Sequence, residues 1–205
     1  MIKSAAVLLC VAAFASAQDY KLETIATPAP AVPANYGADL AGQGYRVSGP
    51  AGPWCEVWFV KALPAGAKPT DPAIVFSIPQ GALLGVIRFP GAAYDRRGQQ
   101  LKAGTYTLRY SNFPADGAHQ GVAPQRDFAL ATPVANDPDP KATPDFDKLV
   151  TQSKLSGTTH AAVFSIEPPP GTAFPSVAKE GEHDWVLGVK IGDVPLGVIV
   201  AGKVE

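Results

Sequence analysis

The chain has 205 residues, a formal net charge of −1 and 46% hydrophobic residues. Its length suits one domain that buries a sizeable core. Because so small a charge creates no field that would attract nucleic acid or an anionic membrane, it argues against electrostatic binding to either as the main function.

The first predicted element is a secretory signal peptide over residues 1–17. Lys3 supplies a positive charge, Ala5 to Phe14 form an unbroken apolar run, and positions 15–17 carry the small residues typical of a cleavage site. The apolar run is much shorter than the roughly 20 residues that cross a bilayer as a helix. We therefore expect cleavage before Gln18, a secreted or periplasmic protein, and no transmembrane segment in the mature chain.

The predicted cleavage also determines which cysteines the mature protein contains. Cys10 would leave with the signal peptide, so the mature chain would keep only Cys55 and form no internal disulfide. Cys55 alternates with Val57 and Phe59 along a predicted strand, which favours a small buried apolar residue.

The opposite face of the same strand carries Trp54, Glu56 and Trp58. Such a face is typical of a core in which an arginine, Arg88 or Arg109, satisfies the glutamate. Stacking of these aromatic rings on a sugar is the alternative.

Prolines and glycines separate short apolar runs, which predicts many short strands joined by turns. The predicted strands are Tyr45–Ser48, Trp54–Lys61, Ala73–Ile78, Leu84–Phe89, Thr105–Ser111, Asp127–Thr132, Ala161–Ile166, Asp184–Ile191 and Pro195–Val200, with Tyr20–Ile25 as a further edge strand. The last two meet at Gly192 and Asp193, a tight hairpin turn. One helix is predicted near 144–155, with Thr143 as its cap and Pro144 at its first position.

These elements predict a mostly β fold, an antiparallel β-sandwich of immunoglobulin-like or jelly-roll-like type with one short helix. A stretch rich in proline and alanine predicts an extended N-terminal segment over residues 18–43. The remainder, residues 44–205, is expected to form a single β-sandwich domain. Arg96 and Arg97, the only adjacent basic pair, are typical of a solvated loop tip.

The densest polar block runs from Asp116 to Phe128, between two predicted strands. Long loops on a rigid β scaffold commonly carry binding groups. His119 can bind a metal or transfer protons, and a nearby aspartate can orient it. The sequence therefore predicts a ligand site made of Asp116, His119, Arg126 and Asp127. An alternative in which Arg126 and Asp127 only pair with neighbours stays open.

The three histidines, His119, His160 and His183, all fall in loops or at strand ends. If they met at one end of the sandwich, their imidazoles would suit Zn or Cu. The sequence predicts no cofactor firmly. The site made of the three histidines would imply Zn or Cu.

Three stretches together resemble a family of exported bacterial proteins to which no activity is assigned. They are Leu101–Tyr110, then Gly117–Phe128 with its Gly-x-His-x-Gly-Val-x-Pro-x-Arg-Asp-Phe block, and Ser156–Val163. The resemblance implies a bacterial source, and it makes His119 and His160 the pair to test together.

The chain has no Gly-x-Ser-x-Gly elbow, no Walker loop, no His-Glu-x-x-His and no Cys-x-x-Cys. We therefore expect a non-catalytic exported β-sandwich that binds a ligand or a protein partner in the bacterial envelope. Two alternatives stay open, a metal-binding protein that uses His119 and His160, and a hydrolase whose base is His119 or one of two paired carboxylates.

Overall fold

A computed structural model describes residues 19–114 and 125–203 of the protein. The predicted signal peptide therefore lies outside the described residues, as do Asp116 and His119. The described chain is mostly β, with 42% strand and 10% helical residues, which confirms the predicted class.

Twelve strands and one α-helix occur in the described ranges. The strands are β1 (Lys21–Ile25), β2 (Gly44–Gly49), β3 (Gly52–Phe59), β4 (Leu83–Phe89), β5 (Ala93–Tyr94), β6 (Gln100–Leu101), β7 (Gly104–Asn112), β8 (Asp127–Pro133), β9 (Val163–Glu167), β10 (Ser176–Glu180), β11 (Asp184–Ile191) and β12 (Val194–Ala201). The helix α1 spans Phe146–Ser153.

Ten strands form one antiparallel sheet in the order β1-β2-β3-β4-β7-β8-β9-β12-β11-β10, while β5 and β6 pair separately. The sheet folds back on itself until its two edge strands, β1 and β10, lie beside each other. Its two halves meet across the interior, where Trp54 Nε1 donates to the Val200 carbonyl at 2.7 Å. Phe89 also stacks on Phe164, with 6.0 Å between ring centroids.

The predicted burial of Cys55 is confirmed, since this residue of β3 lies in the main core. Tyr106, Leu108 and Tyr110, which alternate along β7, lie there too. Cys55 is a free thiol, and burial raises its pKa. The alternation of β7 therefore orients its apolar side chains as the sequence indicates.

Glu56 is buried and satisfied by two arginines. Its carboxylate accepts from Arg46 and from Arg88, each at 2.7 Å. Burial alone would raise the pKa of Glu56, but the hydrogen bonds from the two arginines outweigh it and the pKa falls below its ordinary value. Trp58 on the same strand is also buried, so this strand face contributes to packing, and the arginine prediction is confirmed for Arg88.

Two parts of the strand prediction are wrong. Residues 73–78 form no strand, because the backbone N–H groups of Val75 and Phe76 donate to the Asp127 carboxylate instead of a neighbouring strand. Conversely, β10 forms where the sequence predicts no strand. All five of its residues are half-buried or exposed, so it shows little of the apolar alternation that identifies a strand.

The helix begins two residues later than predicted. Asp145, not Thr143, caps it, because its side chain accepts the Lys148 N–H at 2.9 Å. A short 3-10 turn, Lys154–Ser156, follows α1, and Gly157 then ends the helical stretch in a left-handed conformation with φ of 90°. The hairpin between β11 and β12 forms as predicted, with Gly192 at φ of 59°.

The N-terminal part of the described chain shares the core of the rest. Strand β1 pairs with β2 along its whole length. Tyr36 is fully buried in the main core, and its hydroxyl donates to the Asp137 carbonyl at 2.6 Å. Residues 19–43 therefore contain one strand and one buried aromatic anchor in addition to extended chain.

Gly85 lies where β4 passes closest to β3. A Cβ added there would stand 2.2 Å from the Trp58 carbonyl oxygen and 2.8 Å from the Phe59 Cα. We expect Gly85→Ala to lower the free energy of unfolding by about 1–3 kcal/mol, since the backbone must move to admit a methyl group. Urea unfolding measures the change. Gly91→Ala is the matched control, because a Cβ at Gly91 meets nothing within 4 Å; equal stability of the two variants would contradict the prediction.

Candidate functional site

Asp127, one of the predicted ligand residues, is fully buried. Its carboxylate accepts from the Tyr110 hydroxyl, from the Val75 N–H at 2.8 Å and from the Phe76 N–H at 3.2 Å. Burial, and then the hydrogen bond to Asp127, raise the pKa of Tyr110. Asp127 therefore ties the segment before β4 to the start of β8.

Arg126 lies beside it and is also engaged by the scaffold. Its guanidinium pairs with Asp71 and donates to the Phe113 carbonyl, the Nε contact being 2.7 Å long. Phe113 and Arg126 stand on either side of residues 114–125 in the chain. These contacts therefore join the two ends of the predicted binding loop.

His160 lies in the turn that leads into β9. Its backbone N–H donates to Gln99 Oε1 at 2.7 Å, and the residue is exposed. His183 lies in the turn between β10 and β11, with its side chain 48% exposed and Nε2 3.8 Å from Glu182. Within residues 19–114 and 125–203, no group of three or more His, Cys, Asp or Glu side chains is suited to hold a metal. Zinc or copper binding by His119, His160 and His183 stays a prediction.

A cavity of about 190 Å³ opens between α1 and the outer face of β8 and β9. We call it the helix–sheet pocket. Its apolar lining residues are Phe113, Phe128, Leu130, Phe146, Val150, Ala161 and Val163, and its polar lining residues are Arg97, Lys154 and His160. The aromatic residues at its base, Phe113 and Phe128, stack with 4.1 Å between ring centroids.

The helix pattern explains how the pocket forms. Leu149 is fully buried against β8 and β9, which fixes α1 on the sheet. Phe146 and Val150 stand four residues apart and so share one helix face. Both are only half-buried, which leaves apolar surface open beside the helix.

The ionisable side chains that line the pocket are all basic among the residues that the structure describes. They are Arg97, Lys154 and His160. Arg97 is oriented by a hydrogen bond to the Ala161 carbonyl and lies 3.8 Å from the buried Asp95 carboxylate. Lys154 and His160 are exposed, so they form a basic rim above the buried apolar base.

Two other cavities are larger but chemically less specific. One of about 520 Å³ has Asp39, Lys61 and Lys141 among its lining residues. It therefore carries charges of both signs. Another of about 580 Å³ is lined largely by small and neutral polar residues, Gln99 and Thr159 among them. Of the predicted site residues that the structure describes, Arg126, Asp127, His160 and His183, none lines either cavity.

The sequence identified His160 but not its partners at the pocket. The prediction that Arg96 and Arg97 form a solvated loop tip is wrong. Arg96 forms an ion pair with Asp184 at 2.8 Å, and Arg97 donates a hydrogen bond to the Ala161 carbonyl. Ala161 is 64 residues further along the chain than Arg97, so no local pattern could join them. The half-buried apolar face of α1 is the one sequence signal that could have indicated the pocket.

No helix in the described part of the chain combines the length and the apolar character needed to cross a bilayer. Comparisons of the chain with protein-family models, with curated proteins and with solved structures find no match.

Proposed function

We propose that this is an exported, non-catalytic protein of the bacterial envelope that binds a small amphipathic anion in the helix–sheet pocket. The observation that carries the proposal is the combination of an apolar, aromatic base with a rim on which every ionisable side chain in the described part of the chain is basic. Apolar surface favours a ring or a short chain, and the basic rim favours a carboxylate, sulfonate or phosphate.

The size of the pocket limits its ligand. Its volume is about 190 Å³, and an apolar cavity of roughly 150 Å³ holds a benzene molecule. One aromatic ring or a short acyl chain therefore fills the base and leaves its charged group at Lys154 and His160. Larger ligands would have to extend into solvent.

The location in the envelope is supported by residues 1–17, with their basic, apolar and small-residue parts in the expected order. Expression of the full chain in a bacterial host, followed by fractionation and N-terminal sequencing, tests this. We expect the exported fraction to begin at Gln18. Recovery of the chain only in the cytoplasm with Met1 or Ile2 at its start would refute the export proposal.

Ligand binding is tested with two anions and their neutral counterparts. Phenyl phosphate and octanoate are titrated into the protein and followed by NMR shifts of pocket residues, with benzyl alcohol and 1-octanol as controls. We expect both anions to bind more tightly than the neutral compounds and to shift the resonances of Phe146, Val150 and Val163.

A charge reversal distinguishes binding in this pocket from general electrostatic attraction of the anion to the protein surface. Lys154→Glu should weaken binding of phenyl phosphate roughly fivefold to tenfold, since it replaces an exposed attraction by a repulsion. Lys148→Glu is the matched control, because Lys148 lies on α1, directly before the turn that carries Lys154, but does not line the pocket. Equal effects of the two reversals, or shifts confined to other residues, would contradict the proposal.

A further inference from the structure

The cavity of about 580 Å³ lies between the hairpin of β5 and β6 and the turn that follows α1. We call it the hairpin cleft. Its polar lining residues are Gln99, Gln100 and Lys102 on one wall and Ser156, Thr158 and Thr159 on the other. Its volume falls within the range of roughly 300–1,000 Å³ that is common for small-molecule sites. It shares no lining residue with the helix–sheet pocket.

The hairpin of β5 and β6 has a buried face and an open face. Ala93 pairs with Leu101, and both are fully buried in the main core. Tyr94 pairs with Gln100, so these two side chains share the opposite face. Tyr94 is 49% exposed. An aromatic ring therefore stands in solvent beside a side chain that lines the cleft.

The two walls of the hairpin cleft are fixed to each other by Gln99. Its Oε1 accepts the backbone N–H of His160 at 2.7 Å, and its Nε2 donates to the Asp95 carboxylate at 2.7 Å. Lys102 also approaches the far wall, since a Cβ added at Gly157 would stand 3.8 Å from its Cε. The cleft is therefore formed in advance, and a ligand would not have to order it.

Several polar groups of the cleft are available to a ligand. The side chains of Gln100, Lys102 and Thr159 have no hydrogen-bond or ion-pair partner in the parts of the chain that the structure describes. Amide and hydroxyl side chains both donate and accept hydrogen bonds, as the hydroxyl groups of a sugar do. Lys102 is the one ionisable residue among the described lining residues. The cleft therefore suits an uncharged ligand rich in hydroxyl groups better than an anion.

We propose that the hairpin cleft binds a neutral oligosaccharide, with one sugar ring packed on Tyr94 and sugar hydroxyl groups bonded to Gln100 and Thr159. The C–H face of a sugar ring is apolar, and tyrosine offers it an apolar ring with a polar end. The two tryptophans of β3 do not serve in this way, because their indole N–H groups donate to backbone carbonyls within the fold. Since a cavity of roughly 150 Å³ holds a benzene ring, the cleft has room for about two or three sugar rings.

Titration with three neutral trisaccharides, maltotriose, cellotriose and triacetylchitotriose, tests the proposal by NMR. We expect at least one of them to bind and to shift the resonances of Tyr94, Gln100 and Thr159, while those of Phe146 and Val150 in the helix–sheet pocket stay unchanged. Because the ligand is uncharged, its Kd should be the same at about 0.05 M and about 0.5 M NaCl. Absence of shifts with all three sugars at up to about 20 mM, or shifts confined to the helix–sheet pocket, would overturn the proposal.

Substitutions on each wall locate the bound sugar. Tyr94→Ala should weaken binding about tenfold through loss of the ring contact, and Thr159→Ala about threefold through loss of one neutral hydrogen bond. Both side chains are exposed, so both variants should fold.

Val75→Ala and Thr151→Ala are the matched controls, because these side chains are also exposed but do not line the cleft. Both should bind the sugar as tightly as the unmodified protein does. Lys154→Glu should also leave sugar binding unchanged, which separates this site from the helix–sheet pocket. Unchanged affinity in both Tyr94→Ala and Thr159→Ala, or an equal loss in the controls, would refute the assignment.

Discussion

Asp137→Ala is expected to lower the free energy of unfolding by about 3–5 kcal/mol, because it leaves the buried guanidinium of Arg109 without its counter-charge. Arg109 is fully buried. Its Nε and Nη2 donate to the two carboxylate oxygens of Asp137 at 2.6 and 2.9 Å.

The loss should extend beyond the ion pair. Arg109 also donates to the backbone carbonyls of Gly81, Asp139 and Ala142 at 2.8, 2.6 and 2.5 Å. It thereby fixes the chain between β8 and α1. We expect the resonances of residues 138–143 to broaden or shift in Asp137→Ala, in addition to the lower urea midpoint.

Two controls separate this explanation from a general effect of removing an aspartate. Asp193→Ala removes a fully exposed carboxylate and should leave the urea midpoint unchanged. The double variant Arg109→Met with Asp137→Leu removes both charges, so it should regain the part of the loss that comes from the unpaired charge. The part that comes from the Gly81, Asp139 and Ala142 carbonyls should persist, because they lose their donor. If Asp137→Ala were as stable as the unmodified protein, the prediction would be wrong, because other groups would then compensate the charge of Arg109.

Asp127→Ala is expected to cost about 2–4 kcal/mol, because it leaves several buried donors without an acceptor. These donors are the Tyr110 hydroxyl and the N–H groups of Val75 and Phe76. Asp127→Asn keeps the shape of the side chain but retains only one acceptor oxygen, so an intermediate loss is expected. Urea unfolding followed by tryptophan fluorescence measures both variants.

The same variants decide between two roles for Asp127. As a residue of the scaffold, it should change stability while the folded fraction binds phenyl phosphate with unchanged affinity. Weaker binding at unchanged stability would instead place Asp127 in the ligand site, as the sequence alone predicts.

The sequence predicts a strand correctly where its side chains alternate between the core and the opposite face of the sheet. In β7 every second residue enters the core, so Tyr106, Leu108 and Tyr110 identify it. Residues 73–78 are also rich in apolar and β-branched residues but have no strand neighbour, because the Asp127 carboxylate accepts from the N–H groups of Val75 and Phe76. That contact spans about 50 residues, so no local pattern reveals it.

The candidate site was less accessible to prediction than the fold. His160 stands out because histidines are few, whereas Arg97 and Lys154 look like ordinary surface cations. They share a pocket only because the hairpin of β5 and β6 and the end of α1 both approach the start of β9. The sequence predicts such groups as individual residues, and the tertiary structure alone brings them together.

The order of strands in the sheet has a consequence for the time course of folding. Trp54 donates to a carbonyl 146 residues later in the chain. In the sheet, β12 lies between β9 and β11, and β10 follows β11 at the edge. The strands β1, β2, β3, β4, β7 and β8 pair with one another in chain order, but contacts between distant parts of a chain form slowly. The interior between the two halves of the sheet therefore closes only when the last strands are in place. Slow closure of the interior would suit the export that we propose, because a chain that has not yet folded is thin enough to pass through a narrow translocation channel.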